Sequence, residues 1–357
     1  PKRKVALLMS YCGTGFSGMQ VNPGQFTIEG ELHRALAETG AVSADNAYCP
    51  DKYNFMRAAR TDKGVHAAGT IVSLKMLMGD PQIVSKLNAA LPPQIRVWQA
   101  IRTNNGFHAK NNTDSRVYEY LLPTYTLAPA AKEIFTESGL PEAGPESYRN
   151  QNIPHLTPTE RATLHAYRVP PAILARFREM MDLFKGTHTF HNFTTTDMSH
   201  TDRASRRHLL DIQVSAPFER RVRWVRITLH GQSFMLHQIR KMVGMALMAT
   251  RTHCPPALVE ACFAPMRLNL PQVPGLGLLL QETVHGAYNR QNANPQARPK
   301  GAKRGAPDGA EVREPIVFDA HRDAITAFKA RWIDRSITRI EATRCHYGAW
   351  LRVVDAH

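Results

Sequence analysis

Hydrophobic positions along this chain switch repeatedly between helical and alternating spacing. Residues 4–11 form an apolar run, which predicts a buried strand. Thr27 then reads as a helix N-cap, because Ile28, Leu32, Ala35 and Leu36 fall on one helical face behind it. Residues 70–76 alternate β-branched and apolar side chains with Ser73 and Lys75, the pattern of a strand. Residues 84–91 predict a short helix ended by Pro92 and Pro93, and residues 95–100 alternate as a further strand. Strand, helix, strand, helix, strand describes an α+β half.

The pattern continues at residues 116–122, a strand with Arg116, Tyr118 and Tyr120 on one face and Val117, Glu119 and Leu121 on the other. Residues 126–160 are rich in Pro, Ala, Gly and Glu without sustained periodicity, and read as a long surface excursion. Ile173, Leu174, Phe177, Met180, Met181 and Phe184 mark a helical face over residues 170–184. The next segment, 186–193, reads as a loop packing Phe190 and Phe193. Residues 209–214 and 225–229 are expected as antiparallel strands, with Arg226, Thr228 and His230 alternating with Val225, Ile227 and Leu229. A strongly patterned helix is expected from about 235 to 249, carrying Ile239, Met242, Val243, Ala246 and Leu247 on one side and Arg240 off that stripe. Residues 273–280 look like a turn and a closing strand, 289–315 a flexible linker, and 323–343 a helix that packs on the core. The boundaries that follow are 1–105, 106–288 with the insertion 126–160, the linker 289–315, and a C-terminal helical extension 316–357.

Composition narrows the class. A chain of 357 residues with 43% hydrophobic content has ample core, and no run approaches the ~18 apolar residues of a membrane span. The opening Pro1, Lys2, Arg3, Lys4 shows no secretory signal and lacks a Met, so an upstream segment is expected. Five scattered cysteines, at 12, 49, 254, 262 and 345, fit a reducing compartment. The informative figure is a formal charge of +15, which points to a polyanionic partner, with nucleic acid ahead of membrane.

Candidate chemistry centres on residues 57–67. Asp62 stands between Arg60 and Lys63, with Gly64 beyond, in what the pattern predicts is a turn leading into a strand. A carboxylate between two cations stays ionised, which suits a nucleophile or base rather than a general acid. Gly13, Gly15 and Gly18 spell the dinucleotide fingerprint, but Asn22, Pro23 and Gly24 interrupt where a helix should begin. These glycines are expected instead to form a tight loop whose backbone approaches another chain or an RNA phosphate. Tyr118 beside Arg116 suits either a stacked nucleobase or a core tyrosine. Seven arginines (203, 206, 207, 220, 221, 223 and 226), opposed only by Asp211 and Glu219, suit a phosphate backbone. His188 and His191 have metal-like spacing without a second ligand pair, so no metal site is assigned.

The run Arg60, Thr61, Asp62, Lys63, Gly64, Val65, His66, Ala67 resembles the catalytic motif R-T-D-x-G-V-H-A of the TruA family of tRNA pseudouridine synthases. Segments 11–20, 116–120 and 231–244 match in the family's order, and 231–244 and 274–278 resemble its eukaryotic pseudouridylate synthase 1 branch. The resemblance covers roughly residues 3–289. It implies the α+β pseudouridine synthase fold, two α/β halves with antiparallel sheets meeting at a central basic cleft, plus a C-terminal helical segment. It also implies isomerisation of uridine in folded tRNA, without a cofactor. Asp62 would be catalytic, Tyr118 would stack on the target uracil, Arg240 would pair with the carboxylate, and Arg60 would fill the vacated stack or hold a phosphate. The route through C6 of uracil and the route through C1′ both stay open. Messenger or other structured RNA as a further partner, a monomer, and residence in the nucleus or mitochondrion are expectations of the same kind. The alternatives are a synthase of the position 38/39 type and a non-catalytic RNA-binding module on the same fold.

Overall fold

Ten strands are present among the described residues, which in this computed structural model are 2–47, 49–129, 156–293 and 313–355. They are β1 (Lys2–Tyr11), β2 (Met56–Arg57), β3 (His66–Leu77), β4 (Ile95–Arg102), β5 (Ser115–Pro123), β6 (Gly186–Thr189), β7 (Arg206–Val214), β8 (Phe218–Arg220), β9 (Val222–Gly231) and β10 (Leu278–Val284). The chain divides into two compact units, one made of Pro1–Val117 and Leu279–Asp334, the other of Tyr118–Leu278 and Arg335–His357. Most of the expected excursion and linker, and the basic run from Arg298 to Arg304, lie outside the described residues.

In the first unit the strand order is β4, β1, β3, β10, with β2 on β3. β1 and β3 pair antiparallel from Lys2–Leu77 to Tyr11–Ala67. β10 joins in parallel, setting Leu279 beside His66 and Leu280 beside Ala67. Val5 to Met9 of β1 and Ile71, Val72 and Leu74 of β3 are fully buried, which accounts for runs that are apolar on both faces. The Ile28–Glu38 helix buries Ile28, Leu32, Ala35 and Leu36, the predicted face, and Thr27 caps it by accepting from the Gly30 N–H at 3.2 Å.

In the second unit the order is β5, β9, β7, β6, with β8 on β9. β7 and β9 pair antiparallel as expected, from Leu209–Gly231 to Val214–Ile227. Segment 186–193 is not simply a loop: Gly186–Thr189 is a strand paired with β7, and only then does a 3-10 turn carry buried Phe193 beside Phe190. The patterned helix runs Gln238–Arg251 and starts later than its hydrophobic spacing suggests. His237 has φ +63°, a left-handed conformation that ends any helix before it, and Gln238 Oε1 accepts from the Met235 N–H at 2.9 Å. Thr124–Leu127 is a buried 3-10 turn, so the supposed excursion begins inside the core.

The predicted C-terminal helix is several pieces. Arg322–Phe328 and a π-helical turn, Lys329–Asp334, belong to the first unit. Arg335–Arg344 and His346–Asp355 belong to the second and bury Ile337, Tyr347, Trp350 and Leu351 there. Arg251 and Asp355 anchor that end as a buried ion pair at 2.7 Å, with Arg251 Nε donating to Ala128 O at 2.7 Å. No helix among the described residues is long and apolar enough to cross a membrane.

Candidate active site

Asp62 lies in the loop directly before β3 and is half-buried, while Arg60 and Lys63 are exposed. This loop is built against the glycine segment. A Cβ on Gly13 would stand 2.1 Å from Val65 O, and one on Gly18 would stand 2.9 Å from Thr61 O and 3.3 Å from the Asp62 carbonyl carbon. Real side chains do not tolerate such approaches, so both positions need glycine for packing; Gly18 also needs it for its φ of +101°. Gly15 has φ +89° but open space around it. Gly13 and Gly18 therefore pack against the chain's own Asp62 loop.

Hydrogen bonds complete the cradle. The Met19 N–H donates to Thr61 O at 3.1 Å, the Gly64 N–H to Phe16 O at 3.2 Å, and the Val65 N–H to Asp62 O at 3.0 Å. Tyr11 and Thr61 share a hydroxyl–hydroxyl bond at 2.8 Å. The Gly13 N–H donates to Nδ1 of His66 at 3.0 Å. Complete burial holds His66 down at about 4, so its ring is neutral, and the accepting Nδ1 puts the ring proton on Nε2. Nearby, Arg57 forms a bidentate pair with buried Glu29, whose other contact is the Val21 N–H at 2.9 Å. Arg116 donates to Ala58 O at 2.9 Å, tying the start of β5 to the approach of the Asp62 loop.

Tyr118 and Arg240 belong to the second unit, Asp62 and Arg60 to the first. Tyr118 is nearly buried and meets Phe234 edge-on at 5.1 Å. Phe234 itself closes over Gly231, where a Cβ would stand 2.8 Å from the ring. Arg240 is half-buried and held on three sides. Its Nε donates to Val273 O at 2.8 Å, and with the Gln272 amide oriented to put its oxygen toward the guanidinium, that oxygen accepts from both Nη atoms at 2.8 and 2.9 Å. Gly275 lies beside the guanidinium, where an added Cβ would stand 3.6 Å from Cζ. A bidentate clamp of this kind fixes the plane of an arginine and leaves little rotamer freedom. The turn after it is equally tight: Gly277 has no room for a Cβ against Leu121 O and the Tyr347 hydroxyl, and Tyr120 donates to Pro274 O at 2.5 Å.

The arginine-rich stretch is more engaged than its charge suggests. Arg226 pairs with Glu119 at 3.0 Å and Arg223 with Glu219 at 3.4 Å, while Arg203, Arg206 and Arg221 are exposed. His188 stacks on Phe263 at 4.2 Å and His191 meets His200 edge-on at 5.1 Å, so both rings have packing partners. Sequence reading missed Gln272 and Val273 as the holders of Arg240, Phe234 as the neighbour of Tyr118, and His66 as a fixed acceptor. His66 and Phe234 carried a signal, their places in the matched motifs; Gln272 and Val273 carried none.

A family model described as tRNA pseudouridine synthase matches residues 180–283. The chain is 37% identical over 407 residues to "tRNA pseudouridine synthase 1" of Eremothecium gossypii, covering 100% of this chain and 74% of the relative. The protein of that name in Yarrowia lipolytica is 36% identical over 99% of this chain and 74% of its own length. The mouse "Pseudouridylate synthase 1 homolog" is 34% identical over 100% of this chain and 75% of its own. The chain belongs to the TruA family of tRNA pseudouridine synthases, and it is an isomerase.

Proposed function

We propose that this enzyme isomerises uridine to pseudouridine in folded tRNA, with Asp62 as the group that acts on the nucleoside. The observation that carries this is the cradle: two glycines without room for a side chain, a neutral His66 and three backbone bonds fix the backbone of the loop that carries half-buried Asp62. A carboxylate carried on a fixed loop suits nucleophilic or base chemistry.

The target uridine is flipped from its stack, since its C1′ and ring carbons are out of reach inside a helix. Tyr118 stacks on the flipped base, and the edge-on Phe234 supports it there. Arg60 fills the vacated space or holds a phosphate. Arg240, its guanidinium plane pre-set by Gln272 and Val273, is the second charged group this reading assigns to the substrate. The N1–C1′ bond breaks, the uracil turns while trapped, C5 bonds to C1′ and releases its hydrogen as a proton, and N1 takes up a proton, so the product is an isomer of the substrate. The net charge of +15 supports a polyanionic substrate. Mapping pseudouridine across the host's tRNAs with and without the protein tests the proposal. Loss of modification at specific tRNA uridines is expected, and an unchanged map would overturn it.

A further inference from the structure

A cavity of about 320 Å³ opens in the first unit, and its lining shares no residue with the candidate active site. That lining combines Arg96, Trp98, Phe328, Arg331 and Trp332, and none of its residues is acidic. The two arginines come from β4 and from the π-helical turn Lys329–Asp334. π-turns are rare, and they often sit where a helix is bent to serve a site. Here the turn delivers Arg331 and Trp332 to one wall, with the Arg331 guanidinium 5.6 Å over the Trp332 ring.

Two other lining residues, Trp98 and Arg96, are tied down by neighbours. Trp98 Nε1 donates to Ser10 Oγ at 2.7 Å, and its ring meets Phe328 edge-on at 6.0 Å. Arg96 is braced by donating to Pro92 O at 3.0 Å and to Ile95 O at 2.5 Å. Burial and the facing Arg331 both push Arg96 below the usual arginine range, so the cavity holds two like charges that repel. An anion placed between them relieves that repulsion. The cavity also adjoins the Asp62 cradle through the chain: Cys12, the residue before Gly13, donates from Sγ to Trp332 O at 3.4 Å.

We infer that this cavity is an accessory RNA subsite that takes one nucleotide outside the reacting position, its base against Trp332 or Trp98 and its phosphate between Arg96 and Arg331. The inference rests on the proposed tRNA substrate. Aromatic stacking with guanidiniums beside it is the pattern by which proteins hold unpaired nucleotides without reading sequence. Neither a hydrophobic segment nor a cation suits a pair of arginines with no acid among the lining residues.

The test measures tRNA affinity across a salt series for the full chain and its variants, alongside pseudouridine formation by the wild type. Trp332→Ala is expected to weaken binding about tenfold. Arg331→Ala is expected to lower the slope of log K against log salt by about 0.7 to 0.9. Trp332→Phe and Arg331→Lys should each recover most of the loss. Arg331 is exposed, so its variants keep the fold, and Arg331→Glu gives a second reading through charge reversal. Wild-type affinity and slope in both Trp332→Ala and Arg331→Ala would overturn the subsite while leaving the isomerase proposal standing. A wild type that forms no pseudouridine would overturn the function reading instead.

Discussion

The Gly13 N–H donates to Nδ1 of His66 across 3.0 Å, joining the loop after β1 to the first residue of β3. The bond needs a neutral imidazole, and it braces the end of the short segment that runs from Asp62 to His66. Removing the acceptor, as in His66→Phe, leaves a buried N–H unpaired at a cost of about 1 to 3 kcal/mol. The expected result is a lower midpoint in denaturant together with slower turnover, read by chemical unfolding and by pseudouridine formation.

Gly18 and Gly15 both have positive φ, yet only Gly18 faces the Asp62 loop. Alanine at Gly15 meets only backbone strain, about 1 to 2 kcal/mol. Alanine at Gly18 meets that strain and must also displace Thr61 O, 2.9 Å away. Gly18→Ala is therefore expected to cut kcat far more than Gly15→Ala at matched stability. Equal kcat in the two variants would show that the loop does not depend on this contact.

In the proposed reading Gln272 acts through Arg240, which it holds. Gln272→Leu removes the amide oxygen that accepts from both Nη atoms and leaves Val273 O as the remaining anchor of the clamp. We expect kcat to fall about ten- to a hundredfold, the scale of a misplaced positioning group, with KM little changed. A fall confined to KM would assign Gln272 to binding.

Stability should depend on pH in a stated direction. Burial holds His33, His66 and His285 down at about 4, against about 6.5 in the unfolded chain. Between pH 4 and 6.5 the unfolded state binds more protons, so each of these groups makes stability rise with pH. Glu341, buried under Tyr125 and pushed up to about 7, acts oppositely: between about 4.5 and 7 the folded state holds the extra proton. The three histidines outweigh the two raised carboxyls, Glu341 and Glu29, whose burial lifts them, so thermal midpoints should climb from pH 4 to 6.5. Glu341→Gln keeps the shape without the ionisation, and its midpoint should climb more steeply than that of the wild type across the same window.

Much of this arrangement was legible in the residues. The buried runs of β1 and β3, the Thr27 cap and the alternation of β9 each depend on neighbours a few positions away. What escaped depends on distant ones. β6 is four residues at the end of its strand order, too short to show a period. The glycine pattern announced a close backbone approach, but its partner lies in the 61–65 loop, far along the chain. Arg226 read as one of a basic row, and its partner Glu119 is supplied by β5. The division into units passes through β5 and β10 themselves, so no change of composition marks it.

The most direct measurement is tritium release from tRNA carrying [5-³H]uridine, by the wild type and by Asp62→Ala. Release by the wild type and none by the mutant, with tRNA affinity retained, is the predicted result. Release by Asp62→Ala at the wild-type rate would contradict the role assigned to this carboxylate.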